Sequence, residues 1–512
     1  MHINFFLGVV MTKSEYLKLI DKTIAAGRYK ADWKSLSGRK TPDWYYGGKF
    51  GIFIHWGIYS VPGFSNEWYS RNMYQEGTRE FEHHVKTYGP QKDFGYKDFI
   101  PDFTGSRFDA HRWIETFKKA GARFVVPVLE HHDGFAMYDT DFNRWNAAKM
   151  GPKRNVAGEL KEECEKQGLK FCASSHRAEH YFFMNMGRTF ESDIEPSKEW
   201  FDFYAPAHYE EKLGRDMIAT TDTVDEAGPN EEWCEDWLVR TCELIDRYRP
   251  GLLYFDWWIQ HENFKPWLKK LAAYYYNRAE EWGTEVTIDF KHNAFPLGTA
   301  TLDVERGSLG DIFPYPWQTD TAIGNRSWGY TKDNTFKSSY ECITTLIDVV
   351  SKNGMLLLNI GPRPDGTFTE EETRVLSEIG EWLRINGEGI YETGPYRFYK
   401  EGNHQIKAGT FAEGEIAYDE GDFRFTYKEG VLYAFQMKPS KEIRIKSLNT
   451  ARYGTCVERV ELLVGDTGRS GGDSPVCHNS VAAWTCDHEG LKVTLDRTPD
   501  TGMPQCLKIT LK

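Results

Sequence analysis

The chain has 512 residues, of which 40% are hydrophobic; 63 Lys plus Arg against 76 Asp plus Glu leave a net charge of −13. That length holds about two to four domains, or one large barrel with an accessory domain, and needs no disulfide or metal to support its core. The acidic balance argues against nucleic-acid binding, and no apolar run reaches the ~18–20 residues of a membrane span.

The first ten residues, MHINFFLGVV, form a short apolar stretch. It lacks a preceding Lys or Arg and a following small-residue cleavage site, so a signal peptide is not expected. Translation from Met11 is the simpler reading, since TKSEYLKLIDKTIAAG then reads as an amphipathic helix. Residues 1–44 are expected to be a helical lead-in. The nine cysteines are odd in number and contain no C-x-x-C pair, so reduced thiols and a cytoplasmic setting are expected; four lie after residue 450, where a bridge or two stays open.

From 45 to 395, apolar runs alternate with amphipathic ones. The runs are FGIFIHW, ARFVVPVLEHH (122–132), LKFCASS (169–175), LLYFDWW (252–258), EVTIDFKH (285–292), TATLDVERG (299–307) and MLLLNIG (355–361). They are rich in Val, Ile, Leu and Phe, as strands buried on both faces are. Between them, 108–121, 158–168, 231–250, 264–283 and 341–354 carry helical spacing, and four of the five close on Gly. Repeated strand–helix alternation predicts an α/β (β/α)8-like TIM barrel. A doubly wound sheet is the alternative, but no Gly-rich phosphate loop follows the first strand. Residues 176–230 are charged and aromatic without a period. From 396 to 512 the pattern has period two with Gly turns, which predicts a C-terminal antiparallel β-sandwich; DTGRSGGDSP (466–475) reads as a loop within it.

In such barrels the site sits at the C-terminal ends of the strands. The polar residues there are His55, His131, His132, Ser174, Ser175, His176, Asp256, Lys291, His292, Glu305 and Asn359. Each alone reads as a strand cap; together they read as a pocket. Asp256 emerges between LLYF and WWI, where Trp257 and Trp258 would wall it. A carboxylate in that setting suits a nucleophile at a sugar anomeric carbon, with a second carboxyl as acid. Glu305 is the first choice for that acid and Glu67 the competitor. The aromatic share of 15%, with 17 Trp, fits either a large aromatic core or a sugar-stacking site. HRAEH (176–180) matches the H-x-x-E-H zinc pattern, but it follows a strand rather than lying on a helix.

Several segments resemble α-L-fucosidases of glycoside hydrolase family 29. They are KFGIFIHWGIYSVP (49–62), NEWY (66–69), HHDGF (131–135), LLYFDWW, WQTDTAIGNRSWGYT (317–331), NGMLLLNIGPRPDGTFTEEE (353–372) and EIGEWLRINGEGIYET (378–393). The resemblance implies a retaining, exo-acting α-L-fucosidase that cleaves fucosylated oligosaccharides. Asp256 would form a covalent fucosyl-enzyme intermediate, with Glu305 as acid and then base. His55, Glu67, Trp68, His131 and His132 would bind the fucose hydroxyls. An apolar wall that includes Trp328 would receive the C6 methyl, next to the Trp258 already read beside Asp256. Ser175, His176, Glu179 or His180 would take the place of a family sugar contact. No metal or organic cofactor is implied. The chain departs from the family pattern at Glu130, where Lys is frequent, at ASSHRAEH (173–180), and at Gln318, where Glu is frequent. A non-catalytic sugar-binding protein on the same scaffold is the contrasting expectation.

Overall fold

The structure is a computed structural model that describes residues 11–194, 203–205, 228–453, 456–465, 477–478, 481–496 and 502–512. The apolar stretch at 1–10, most of the aperiodic segment before 228 and the loop at 466–475 lie outside the described residues.

The lead-in helix α1 (Lys13–Ala26) starts on a capping box. Thr12 accepts from the Glu15 amide while Glu15 reaches back to the Thr12 amide. The parallel strands are β1 (Phe50–Ile54), β2 (Phe124–Glu130), β3 (Lys170–Phe171), β4 (Ala173–Ser175), β5 (Leu252–Phe255), β6 (Thr287–Lys291), β7 (Thr301–Asp303), β8 (Trp317–Ala322) and β9 (Gly354–Ile360). β3 and β4 are two pieces of one strand, both paired with β2. The order β1-β9-β8-β7-β6-β5-β4-β2 closes through β1–β2 pairing, which makes an eight-stranded barrel.

Helices α2 (Arg79–Tyr88), α3 (Ala110–Lys119), α4 (Val156–Gln167), α5 (Glu231–Tyr248), α6 (Lys265–Trp282), α7 (Ser339–Ser351) and α8 (Glu370–Asn386) accompany it. The expected helices fall in place, and α4 and α6 end on left-handed Gly168 and Gly283. Two features differ from the expected alternation. Loops without a helix join β6 to β7 and β7 to β8. β8 was not among the apolar runs, because Gln318, Thr319, Asp320 and Thr321 are buried polar residues with partners inside the molecule.

Period two explains how the strands set up a site. Phe53, Phe124, Val126, Val128, Cys172, Tyr254, Met355 and Leu357 pack together inside the barrel, while Ile52, Val125, Leu356 and Leu358 face the outer core. Gly51 shares the lumen face, and a Cβ there would meet the Phe124 ring at 2.2 Å. Two residues beyond the last lumen side chain, the same parity brings His55, Asp256 and Asn359 to the upper end. Asp289 and Lys291, Asp303 and Glu305, and Gln318 and Asp320 follow the same rule on β6, β7 and β8.

The C-terminal part pairs as predicted. β10 (Gly394–Glu401), β11 (Phe423–Lys428), β12 (Val431–Gln436), β14 (Val457–Val464), β15 (Cys477–His478) and β18 (Gln505–Leu511) form one antiparallel sheet. β13 (Glu442–Ile445), β16 (Val481–Asp487) and β17 (Gly490–Leu495) form a second. Phe423, Phe425, Leu432, Ile445, Val493 and Leu507 fill the space between them. Cys456, Cys486 and Cys506 are free thiols, and the Cys477 side chain is outside the described atoms.

A buried ion cluster welds the two parts. Arg424 of β11 reaches Asp348 of α7 at 2.6 Å, and Lys352 reaches the other Asp348 oxygen at 2.6 Å, all three side chains being fully enclosed. Removing one member strands a buried charge, so Arg424→Ala should cost about 3–5 kcal/mol in denaturant unfolding of the full chain. A cost under about 1 kcal/mol would show that water solvates this interface.

Candidate active site

The strand-end residues converge. At β1, His55 Nδ1 lies 2.6 Å from Asn359 Oδ1, and the Asn359 amide donates to the Trp328 carbonyl at 2.7 Å. An amide oxygen accepts, so Nδ1 carries the proton and Nε2 is left as an acceptor. Burial holds His55 and His131 well below the ordinary imidazole range, so both are neutral. His131 and His176 stack 4.9 Å apart, and His55 lies edge-on to both.

Asp256 follows β5. His176 Nδ1 stands 3.1 Å and His132 Nε2 3.3 Å from its Oδ2, and Lys291 Nζ stands 3.8 Å from its Oδ1. Burial alone would raise this carboxyl, but His176, the hydrogen bond from His132 and the Lys291 ammonium together hold it well below the usual carboxylate range. Burial disfavours a charged His132, yet Glu179, 3.6 Å from Nδ1, and Asp256 push it up to about 9. An imidazolium thus sits against the Asp256 carboxylate.

Glu305 has the opposite charge preference. Trp257 Nε1 donates to its Oε2 at 2.6 Å and Lys291 Nζ at 2.7 Å. Burial pushes Glu305 up; Lys291 opposes it, and the nearby Asp320 and Asp256 add to it, leaving the group at about 7. Below Lys291, Asp303 lies at 3.3 Å and Asp320 at 3.4 Å, with Tyr254 donating to Asp320 at 2.8 Å. Burial and the Asp320 charge raise Asp303 far above its ordinary value, so Asp303 is neutral. One ammonium therefore serves a charged carboxylate on one side and a proton-holding carboxyl on the other.

The remaining expected residues are placed as follows. Glu67 accepts from Ser327 Oγ and the Trp328 amide, each at 2.9 Å. Trp68 is half-buried, edge-on to His132 and Phe183. Trp328 lies 5.2 Å from the His55 ring, with the Arg306 guanidinium 4.5 Å from its centroid. Trp258 corrects the expectation. It is 0% exposed, enclosed by Tyr181, Phe182, His261 and Phe264, and offers no surface to a sugar. A positive φ of 81° after the strand end turns it away, and Trp257 takes the wall position. HRAEH does not form the zinc pattern, because both His180 ring nitrogens face backbone carbonyls, of His132 at 2.7 Å and Ala205 at 2.9 Å. Two other groups, His55–His131–His176 and His132–His176–Asp256, bring ligand-type atoms within 4.8 Å of one another. In these groups His55 Nδ1 faces Asn359, His132 Nδ1 the His176 carbonyl, and the two His176 nitrogens Ser174 and Asp256, whereas His131 Nδ1 has no hydrogen-bond partner among the described residues.

Comparison with known proteins decides the family. The model of the family described as Alpha-L-fucosidase matches residues 17–388. The chain belongs to the α-L-fucosidase family. As a family member it is a glycoside hydrolase. The human plasma α-L-fucosidase is 29% identical over 395 residues, 73% of this chain and 74% of that one. The mouse tissue α-L-fucosidase is 27% identical over 511 residues, 96% of this chain and 95% of that one. The crystal structure of the Thermotoga maritima α-fucosidase in complex with fucose superposes with a TM-score of 0.70 at 29% identity, covering 94% of this chain and all of the other. The fold of this α-L-fucosidase family member is thus the barrel-plus-sandwich of solved fucosidases.

Sequence reasoning missed Asp320, because its strand carries no apolar signature, and it noted Lys291 only as a strand end. The parity rule applied to β8 was the signal that could have found Asp320. Nothing local marks Phe411, which the fold brings to Trp257 from outside the barrel.

Proposed function

We propose that this chain hydrolyses terminal α-L-fucosyl residues of oligosaccharides by double displacement with retention of configuration. The observation that carries the mechanism is the pairing of opposite charge states across Lys291. Its ammonium is 3.8 Å from the Asp256 oxygen and 2.7 Å from the Glu305 oxygen. Those two oxygens can be no farther apart than the two distances combined. That limit leaves room for the roughly 5–5.5 Å of retaining enzymes and falls at the bottom of the inverting range of about 6.5–9.5 Å.

In this reading the Asp256 carboxylate attacks C1 while Glu305 delivers its proton to the leaving oxygen. The covalent fucosyl-enzyme ester is then cleaved by water. Glu305, now ionised, takes the water's proton, and Asp256 leaves beside the His132 imidazolium. Neutral His55 and His131 accept hydrogen bonds from sugar hydroxyls, and the Glu67 carboxyl, oriented by Ser327 and the Trp328 amide, does the same. His176 positions Asp256, and Trp68 and Trp328 supply apolar surface for the ring and its C6 methyl.

The test is L-fucose release by the purified chain, in chelator, from an aryl α-L-fucoside and from α1,2-, α1,3/4- and α1,6-linked oligosaccharides. Release from at least one member is expected, with α-L-fucose as the first-formed anomer. No release from any member, or a first product of β configuration by NMR, would overturn the reading.

A further inference from the structure

Phe411 is 62% exposed, the largest exposure among the large apolar residues described. A single exposed aromatic residue is ordinary on a protein surface; its surroundings are what set this one apart. Phe411 lies in the segment between β10 and β11, which leaves the sandwich and returns to the barrel mouth. The segment is stitched to the loop after β7. The Gly409 amide donates to the Ser308 carbonyl, that of Phe411 to Glu305, and that of Glu413 to Arg306, each at 2.9 Å. Gly307 permits this approach, since a Cβ there would fall 1.9 Å from the Gly409 carbonyl oxygen. The Glu413 carboxylate locks the segment by pairing with Arg306 at 2.7 Å and Lys337 at 3.1 Å. Phe411 itself is held at φ 54°, a left-handed conformation that non-glycine residues seldom adopt.

The result is an aromatic step. The Phe411 ring lies nearly parallel to that of Trp257, 18° between planes and 6.3 Å between centroids, and Trp257 donates to Glu305. Glu305 is the group that protonates the leaving oxygen in the proposed reaction. Whatever hangs on that oxygen must therefore leave the fucose pocket on the Glu305 side, alongside Trp257 and Phe411.

We infer that Trp257 and Phe411 form the binding platform for the pyranose ring attached to fucose through the scissile oxygen, which lays its apolar face on them. The C-terminal part of the chain thereby sets preference for the leaving sugar. This rests on the proposed function, since it takes the leaving-group side from the role of Glu305. Aromatic contacts of this kind are worth about 0.5–1.5 kcal/mol, so their loss should be felt as roughly 3–10-fold.

The experiment compares Phe411→Ala and Phe411→Trp in the full chain, using fucosyl disaccharides and α-L-fucosyl fluoride, whose leaving group has no ring. Phe411→Ala should lower kcat/KM by roughly 3–10-fold on the best disaccharide, chiefly through KM, and leave the fluoride within about two-fold. Phe411→Trp should restore the disaccharide value. Equal losses on both substrates would mean that Phe411 only braces the Glu305 loop, and unchanged disaccharide kinetics would mean that no ring rests there; either overturns the inference. Inactivity of the unaltered chain on the fluoride would instead be a failure of the fucosidase reading itself.

Discussion

Asp256→Ala is expected to lower kcat by roughly 10⁴–10⁶-fold on an aryl α-L-fucoside, with no loss of folded protein. The size follows from removing the only atom that forms the covalent bond, since neutral water must then attack without an ester intermediate. The fold should survive because Lys291, buried beneath, keeps Glu305, Asp303 and Asp320 as partners. The vacated position would still be faced by His132, His176 and Lys291. Three cationic or proton-donating groups around a carboxylate-sized space favour a small anion there. Azide should therefore rescue turnover of the activated substrate and yield β-L-fucosyl azide, because it enters from the face opposite the leaving group. Rates within tenfold of the unaltered chain would remove Asp256 from the mechanism. An α-configured azide product would place the nucleophile on the other face.

Glu305→Gln should separate substrates by their leaving groups. Natural disaccharides need a proton on the departing oxygen and should lose about 10²–10⁴-fold, whereas activated aryl fucosides, which depart without one, should lose far less in the first step. The pH profile gives an independent reading. Glu305 holds its proton up to about 7, so kcat/KM on a disaccharide should fall as pH rises through that value. Asp256 stays ionised well below the usual carboxylate range, so no acid limb is expected from it near pH 4–5. In Glu305→Gln the limb near 7 should vanish. Glu67→Gln, which alters the hydrogen bonds to Ser327 and Trp328 without touching Lys291, should keep that limb while raising KM. If the limb survives in Glu305→Gln and disappears in Glu67→Gln, the two residues exchange roles.

Seven of the strand positions could be read from apolar runs, and the nucleophile candidate followed from a carboxylate leaving a buried strand between aromatic residues. β8 could not be read that way, because Gln318 and Asp320 are soluble-looking residues made tolerable in the lumen by Tyr45, Asp303, Tyr254 and Lys291. Trp257 and Trp258 are indistinguishable neighbours in the chain. A left-handed backbone at Trp258 sends one into the core and leaves the other on Glu305.

The sequence by itself determined the strand ends, their period-two parity and the family segments, since these depend on local spacing and residue type. Only the tertiary structure decided which carboxyl keeps its proton. That depends on how barrel closure sets Lys291, Asp320 and Asp256 around Glu305, and the field of a charge depends on distance in space rather than along the chain. It also decided that residue 411, far along the chain from the barrel strands, stands at the mouth of the site.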